Sequence, residues 1–197
     1  MNEWFEKNKL IFIDVFLYTL NILIVVLSAW AIDLHRYGLD ITISRYIGLR
    51  RWTAIMYLIF AGVMATLAVI HLSKIRMNVV KKIFYILVCV CIFGCGVFPT
   101  NRNWNVVSSN IHDIFSHTSM VCGTITFIWT LVKPLNKTQR IFGIIAIAYA
   151  IFFIAYFEFL KWDFLFHTLF IWENVFVYLF MAELCVETIP PAKPASQ

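Results

Sequence analysis

Residues 94–119 read GCGVFPTNRNWNVVSSNIHDIFSHTS. An apolar run rich in small residues stops at Phe98-Pro99, a polar stretch with Asn, Trp and Ser follows, and a second apolar run sets in behind His112, Asp113 and His117. A Pro behind aromatic and aliphatic residues, then an Asn/Ser cluster, marks one helix ending and another beginning. The stretch holds two of the five His residues and the only Gly-x-Gly. A bilayer core takes about 20 apolar residues of helix. On that scale the stretch is the connection between two membrane spans.

The rest of the chain agrees. Its 197 residues are 61% hydrophobic and 14% charged, with a mean hydropathy of +0.81, whereas a soluble domain is about half apolar. The net charge of +5 falls in connectors between apolar runs, where basic residues set orientation. Nucleic acid is therefore not an expected partner. The sequence predicts an all-α polytopic membrane protein. Six transmembrane helices, at residues 10–32, 52–72, 83–98, 111–132, 141–160 and 164–186, form one bundle. A short N-terminal segment, 1–9, precedes it, and a Pro-rich tail, 187–197, is expected to be disordered.

The first run is too long for a signal-peptide core, so Ala29-Trp30-Ala31 is not expected to be cleaved. Asp14 and Asn21 interrupt that run, and Asp14, about one turn from the boundary, is expected to snorkel to water. The glycines of the third span, and Ala146 and Ala150 of the fifth, predict close helix packing. The five cysteines sit inside apolar runs without a CxxC or zinc spacing, and are expected to be small core residues.

Connectors on the side of the two termini hold ten of the 16 Lys and Arg residues, which puts both termini in the cytoplasm and residues 94–119 outside. A plasma-membrane location follows. Asp33, His35, Arg36, His112, Asp113, His117, Glu158, Asp163 and His167 then gather near the outer boundary. Ser109, Asp113 and His117 recur at four-residue steps and share a helix face. His167 and Asn174, seven apart on the sixth span, form a second stripe, with Tyr178 a turn deeper. Glu173 lies roughly 14 Å below Phe164 at about 1.5 Å per residue, near the midplane. No Lys or Arg is expected deep in any span to pair with it, so it is either uncharged or meets His117 or a bound cation. Intramembrane ionisable groups are functional candidates by default.

Gly96, Phe98, Pro99 and Thr100 closing the third span, Asn110 and His112 opening the fourth, and Ile43-Ser44 in the first outer loop resemble the bacterial membrane family catalogued as domain of unknown function 998. That family is similar, more distantly, to the six-helix autophagy-modulator and lipid-asymmetry group. The resemblance spans about residues 10–186 and implies the topology and a lipid-linked role. Where the family often has an acidic residue after Gly-x-Phe-Pro, Thr100 and Asn101 stand.

These features predict a non-enzymatic protein that binds a membrane lipid or small amphiphile, without cofactor, in an outward-facing pocket between spans four and six. His112, Asp113, His117, His167, Glu173 and Asn174 form that pocket, and no catalytic residue is assigned. The alternative is a zinc-dependent intramembrane hydrolase with His112, His117 and His167 as ligands and Asp113 or Glu173 as general base. A third is a proton-coupled transporter using Glu173. Facing histidines for a haem are absent, since His71 lies alone at the inner side.

Overall fold

A computed structural model describes residues 2–37, 51–99, 106–156 and 169–190. Among them are six α-helices: α1 (Asn2–Tyr37), α2 (Arg51–Lys74), α3 (Val79–Val97), α4 (Val106–Val132), α5 (Lys137–Ile154) and α6 (Leu169–Val186). No strand occurs among the described residues. Five of the helices, α1 to α5, are long and apolar enough to cross a membrane. Glu158, Asp163, His167 and residues 191–197 lie outside the described residues, as do the side chains of Asp33, His35 and Arg36.

Helix ends differ from the hydropathy boundaries because local polar chemistry sets them. α1 starts eight residues earlier than the apolar run, at Asn2. Residues 2–9 contain no breaker, carry Glu3 in the first turn, and pair Glu6 with Lys9 at 2.8 Å, an i,i+3 arrangement that supports a helix. α3 begins at Val79 because Asn78 caps it, its side-chain oxygen accepting the Val80 N–H at 2.9 Å. Asn136 caps α5 through the Gln139 N–H at 2.9 Å. The capped start of α3 brings Lys81 and Lys82, expected in a connector, into the helix.

The helices form a closed ring in chain order: each packs against the next, and α6 returns to α1. Small residues let neighbours approach where the sequence suggested. A Cβ on Gly143 would stand 2.8 Å from the Leu131 Cα and N of α4, and one on Gly96 would stand 3.2 Å from the Leu58 Cα of α2. Ala146 and Ala150 are fully buried on the same stripe of α5 as Gly143. Tyr85, Phe127, Phe176 and Phe180 fill the interior, with Phe127 meeting Phe176 edge-on and Tyr85 packed on Phe180. Cys89, Cys91, Cys95 and Cys122 are buried and Cys185 half-buried, all as free thiols. Large apolar side chains cover the outer face of the ring, among them Phe16, Ile59, Val90, Ile114, Ile151 and Ile171. An apolar exterior on every helix suits lipid rather than water.

Candidate functional site

A cavity of about 100 Å³ lies on the ring axis, in the half of the bundle nearest the α3–α4 connection. All six helices contribute to its wall, including Tyr18 of α1, Tyr57 of α2, Cys95 of α3, His112 of α4, Phe153 of α5 and Glu173 of α6. Ser116, Ser119 and Phe176 are also on the wall. That volume has room for several waters or a head group of a few non-hydrogen atoms.

His112 is held before anything binds. Its Nδ1 lies 2.8 Å from the Phe98 oxygen and 3.1 Å from the Cys95 oxygen, at the end of α3. Carbonyl oxygens only accept, so Nδ1 carries the hydrogen, and Nε2 of the neutral ring is an acceptor. The ring thereby staples the start of α4 to the end of α3, helped by Ser108, whose hydroxyl donates to the Pro99 oxygen at 3.3 Å. These contacts tie the first turns of α4, ahead of the apolar run at Ile111, to the end of α3. Gly94 belongs to the same joint, since a Cβ there would meet the Phe115 ring at 2.8 Å.

The expected site residues divide into those on the cavity and those off it. His112 and Glu173 line it together. Asn174 stands one residue behind Glu173, buried, accepting a hydrogen bond from Tyr18 at 2.9 Å. Next to it, Thr19 of α1 and Tyr178 of α6 share a hydrogen bond of 2.8 Å, so the deeper end of the second stripe closes the α1–α6 seam. Asp113 is half-buried and His117 is exposed, with its Nδ1 2.6 Å from the backbone oxygen of Asp113. Neither lines the cavity.

No family model, curated protein or solved structure matches this chain. The resemblance to the domain of unknown function 998 family rests on the short motifs quoted above. Among the described residues no three His, Cys, Asp or Glu side chains come together as a metal site. His112, buried, and His117, exposed, point into different surroundings, and the third ligand of the hydrolase alternative, His167, lies outside the described residues.

At the opposite end of the ring is a second polar site, which hydropathy had hidden. Lys81, in the first turn of α3 and 3% exposed, forms an ion pair with Glu183 of α6, 0% exposed, at 3.1 Å, and with Glu187 at 2.5 Å. Thr126 of α4 donates to Glu183 Oε2 at 2.7 Å, and Thr130 bonds both the ammonium and Glu183 Oε1. The Lys81 ammonium lies over the Tyr85 ring, 5.6 Å from its centre. Hydropathy places Lys81 in a connector; the Asn78 cap starts α3 early enough to bring it into the first turn of the helix, far from Glu173. Two four-residue steps, Thr126 to Thr130 and Glu183 to Glu187, at the same end of their spans, were the signal in the sequence.

Asp14 also differs from expectation. With α1 starting at Asn2 it lies about 18 Å along the helix at ~1.5 Å per residue, beyond the reach of a short side chain to the helix mouth. It is 2% exposed, and its Oδ1 has no hydrogen-bond partner among the described residues. Asn21, two turns further on the same buried face, leaves both side-chain polar atoms without a partner there. His71, buried at the end of α2, has an Nε2 in the same condition.

Proposed function

We propose that the chain crosses the plasma membrane six times, with both termini in the cytoplasm, and binds the polar head of a lipid or small amphiphile in the axial cavity. The observation that carries this reading is the meeting of His112 and Glu173 on one cavity whose other lining is largely aromatic and aliphatic. A carboxylate within a span is costly and marks a functional site by default. Here it shares a space large enough for a head group with an imidazole already oriented by two carbonyls. The ten-to-six distribution of basic residues supports the orientation, and the motifs around Pro99 support kinship with the domain of unknown function 998 family. Binding without turnover requires no cofactor.

Lipid retention tests the proposal. Native mass spectrometry of the detergent-released protein is expected to find copurified lipid that Glu173→Gln and His112→Gln each reduce about tenfold, the equivalent of one hydrogen bond to a charged group. His117→Ala, off the cavity, serves as the comparison and is expected to retain lipid. Equal lipid in all four proteins, with unchanged helical circular dichroism, would refute the cavity as the binding site.

A further inference from the structure

The wall of the axial cavity is rich in acceptors whose own hydrogens are already spent. His112 is 4% exposed, and with Nδ1 held by the Phe98 and Cys95 oxygens its Nε2 bonds nothing among the described residues. That nitrogen keeps a lone pair on a cavity-lining ring. The Ser119 hydroxyl gives its hydrogen to the Ser116 carbonyl at 2.7 Å, and the Tyr18 hydroxyl gives its own to Asn174 Oδ1 at 2.9 Å. Both residues line the same space, and both oxygens can still accept. Buried acceptors left unpaired are costly. A group that fills this cavity therefore has to bring hydrogens.

Charge selects among the possible donors. Glu173 brings a carboxylate to the wall, and no Lys or Arg is among the described lining residues. A phosphate or carboxylate head would meet Glu173 with like charge and bring no hydrogen to His112. A hydroxyl head brings a hydrogen but leaves the carboxylate unmatched in a poorly solvated site. A quaternary ammonium matches the charge but has no N–H. A protonated primary amine meets both demands, with one positive charge and three hydrogens. Tyr57 of α2 and Phe153 of α5 lie on the same wall, and aromatic rings attract an ammonium. A volume of about 100 Å³ holds an ammonium and its adjacent carbons rather than a whole phospholipid head.

We infer that the axial cavity selects a protonated primary amine, carried by an aminophospholipid head group or by a free long-chain amine. The inference rests on the cavity reading above and adds the chemistry of the ligand to it. Glu173 takes the charge, His112 Nε2 accepts one N–H, and the hydroxyl oxygens of Ser119 and Tyr18 are acceptors for the others. The Phe98 and Cys95 carbonyls act through His112: by keeping the hydrogen on Nδ1 they keep Nε2 an acceptor, and so set the cavity against anions.

Native mass spectrometry of the full chain in uncharged maltoside micelles can rank added phospholipids of identical acyl chains that differ in head group: ethanolamine, its trimethylated and N-acetylated counterparts, and glycerol. The wild type and His117→Ala are expected to retain the ethanolamine lipid about tenfold more than the other three, the worth of one hydrogen bond to a charged group. Glu173→Gln is expected to erase that preference. A wild type that retains any of the other three as well as the ethanolamine lipid would overturn the proposal, whether or not a variant folds. If Glu173→Gln and His112→Gln still lowered total lipid in that case, the cavity reading would stand without it; equal lipid in the wild type and both variants would remove both. Decylamine carries the amine without a phosphate. Its displacement of the retained lipid identifies the free amine as sufficient, survival of the lipid identifies the phospholipid head, and decanol displacing as well as decylamine would overturn the proposal.

Discussion

Replacing Lys81 by Met keeps a straight, flexible side chain and removes the one cation that Glu183 and Glu187 share. Lys81 is 3% exposed and Glu183 0%, so solvent screening does not soften the loss. Removing one partner of a buried ion pair costs about 3–5 kcal/mol, because the other charge is left uncompensated. Two carboxylates lose their cation here, and Glu187 and Thr130 each lose a donor, which puts the expected cost near the top of that range. A loss of about 4 kcal/mol is roughly a thousandfold in the folding equilibrium. The assay is reversible unfolding in mixed micelles, followed by tryptophan fluorescence from the seven Trp residues. The double variant Lys81→Met with Glu183→Met is expected to recover most of the loss, since an apolar pair of similar volume is often neutral or stabilising in place of a buried ion pair. A single-variant loss below about 1 kcal/mol, the value of a solvated surface pair, would refute the buried-cluster reasoning. So would a double variant no more stable than Lys81→Met alone.

Gly143→Ala is expected to destabilise the bundle by about 1–3 kcal/mol through overpacking, since its Cβ would meet backbone atoms of Leu131 at 2.8 Å; thermal unfolding in detergent measures it, and an unchanged midpoint would mean that α4 and α5 are looser than described. Asp14→Leu is expected to stabilise the fold by about 1–3 kcal/mol, by removing a buried polar atom that lacks a partner; a loss in the same unfolding assay would show that Asp14 holds an interaction worth more than its desolvation.

How far the sequence foretold these features depends on whether a residue's surroundings are local. The helices were legible because each is a nearly unbroken apolar run, and the helix-packing roles of Gly96, Ala146 and Ala150 followed from their size. His112 and Glu173 were legible as candidates because polar groups inside apolar runs stand out. Their meeting on an axial cavity was not, since that depends on the ring order of six helices, which no spacing within one helix encodes. Lys81 was hidden because a basic residue beside a span is normally a loop charge. Only the Asn78 cap distinguishes it, by moving the helix start two residues upstream of the lysine. Thr126 and Thr130 were hidden because a threonine does not stand out in an apolar helix. Asp14 was misplaced by measuring its depth from the apolar run rather than from the true helix start.

The closed ring also has a consequence for biosynthesis. Lys81 leaves the ribosome 102 residues before Glu183, so at about 5–20 residues per second it waits roughly 5–20 s for its acidic partner. During that interval the rest of α3, then α4 and α5, are made, while the cluster and the cavity wall both lack α6. α6 completes the ring, and until residue 183 is made Lys81, at the start of α3, lacks both of its carboxylate partners.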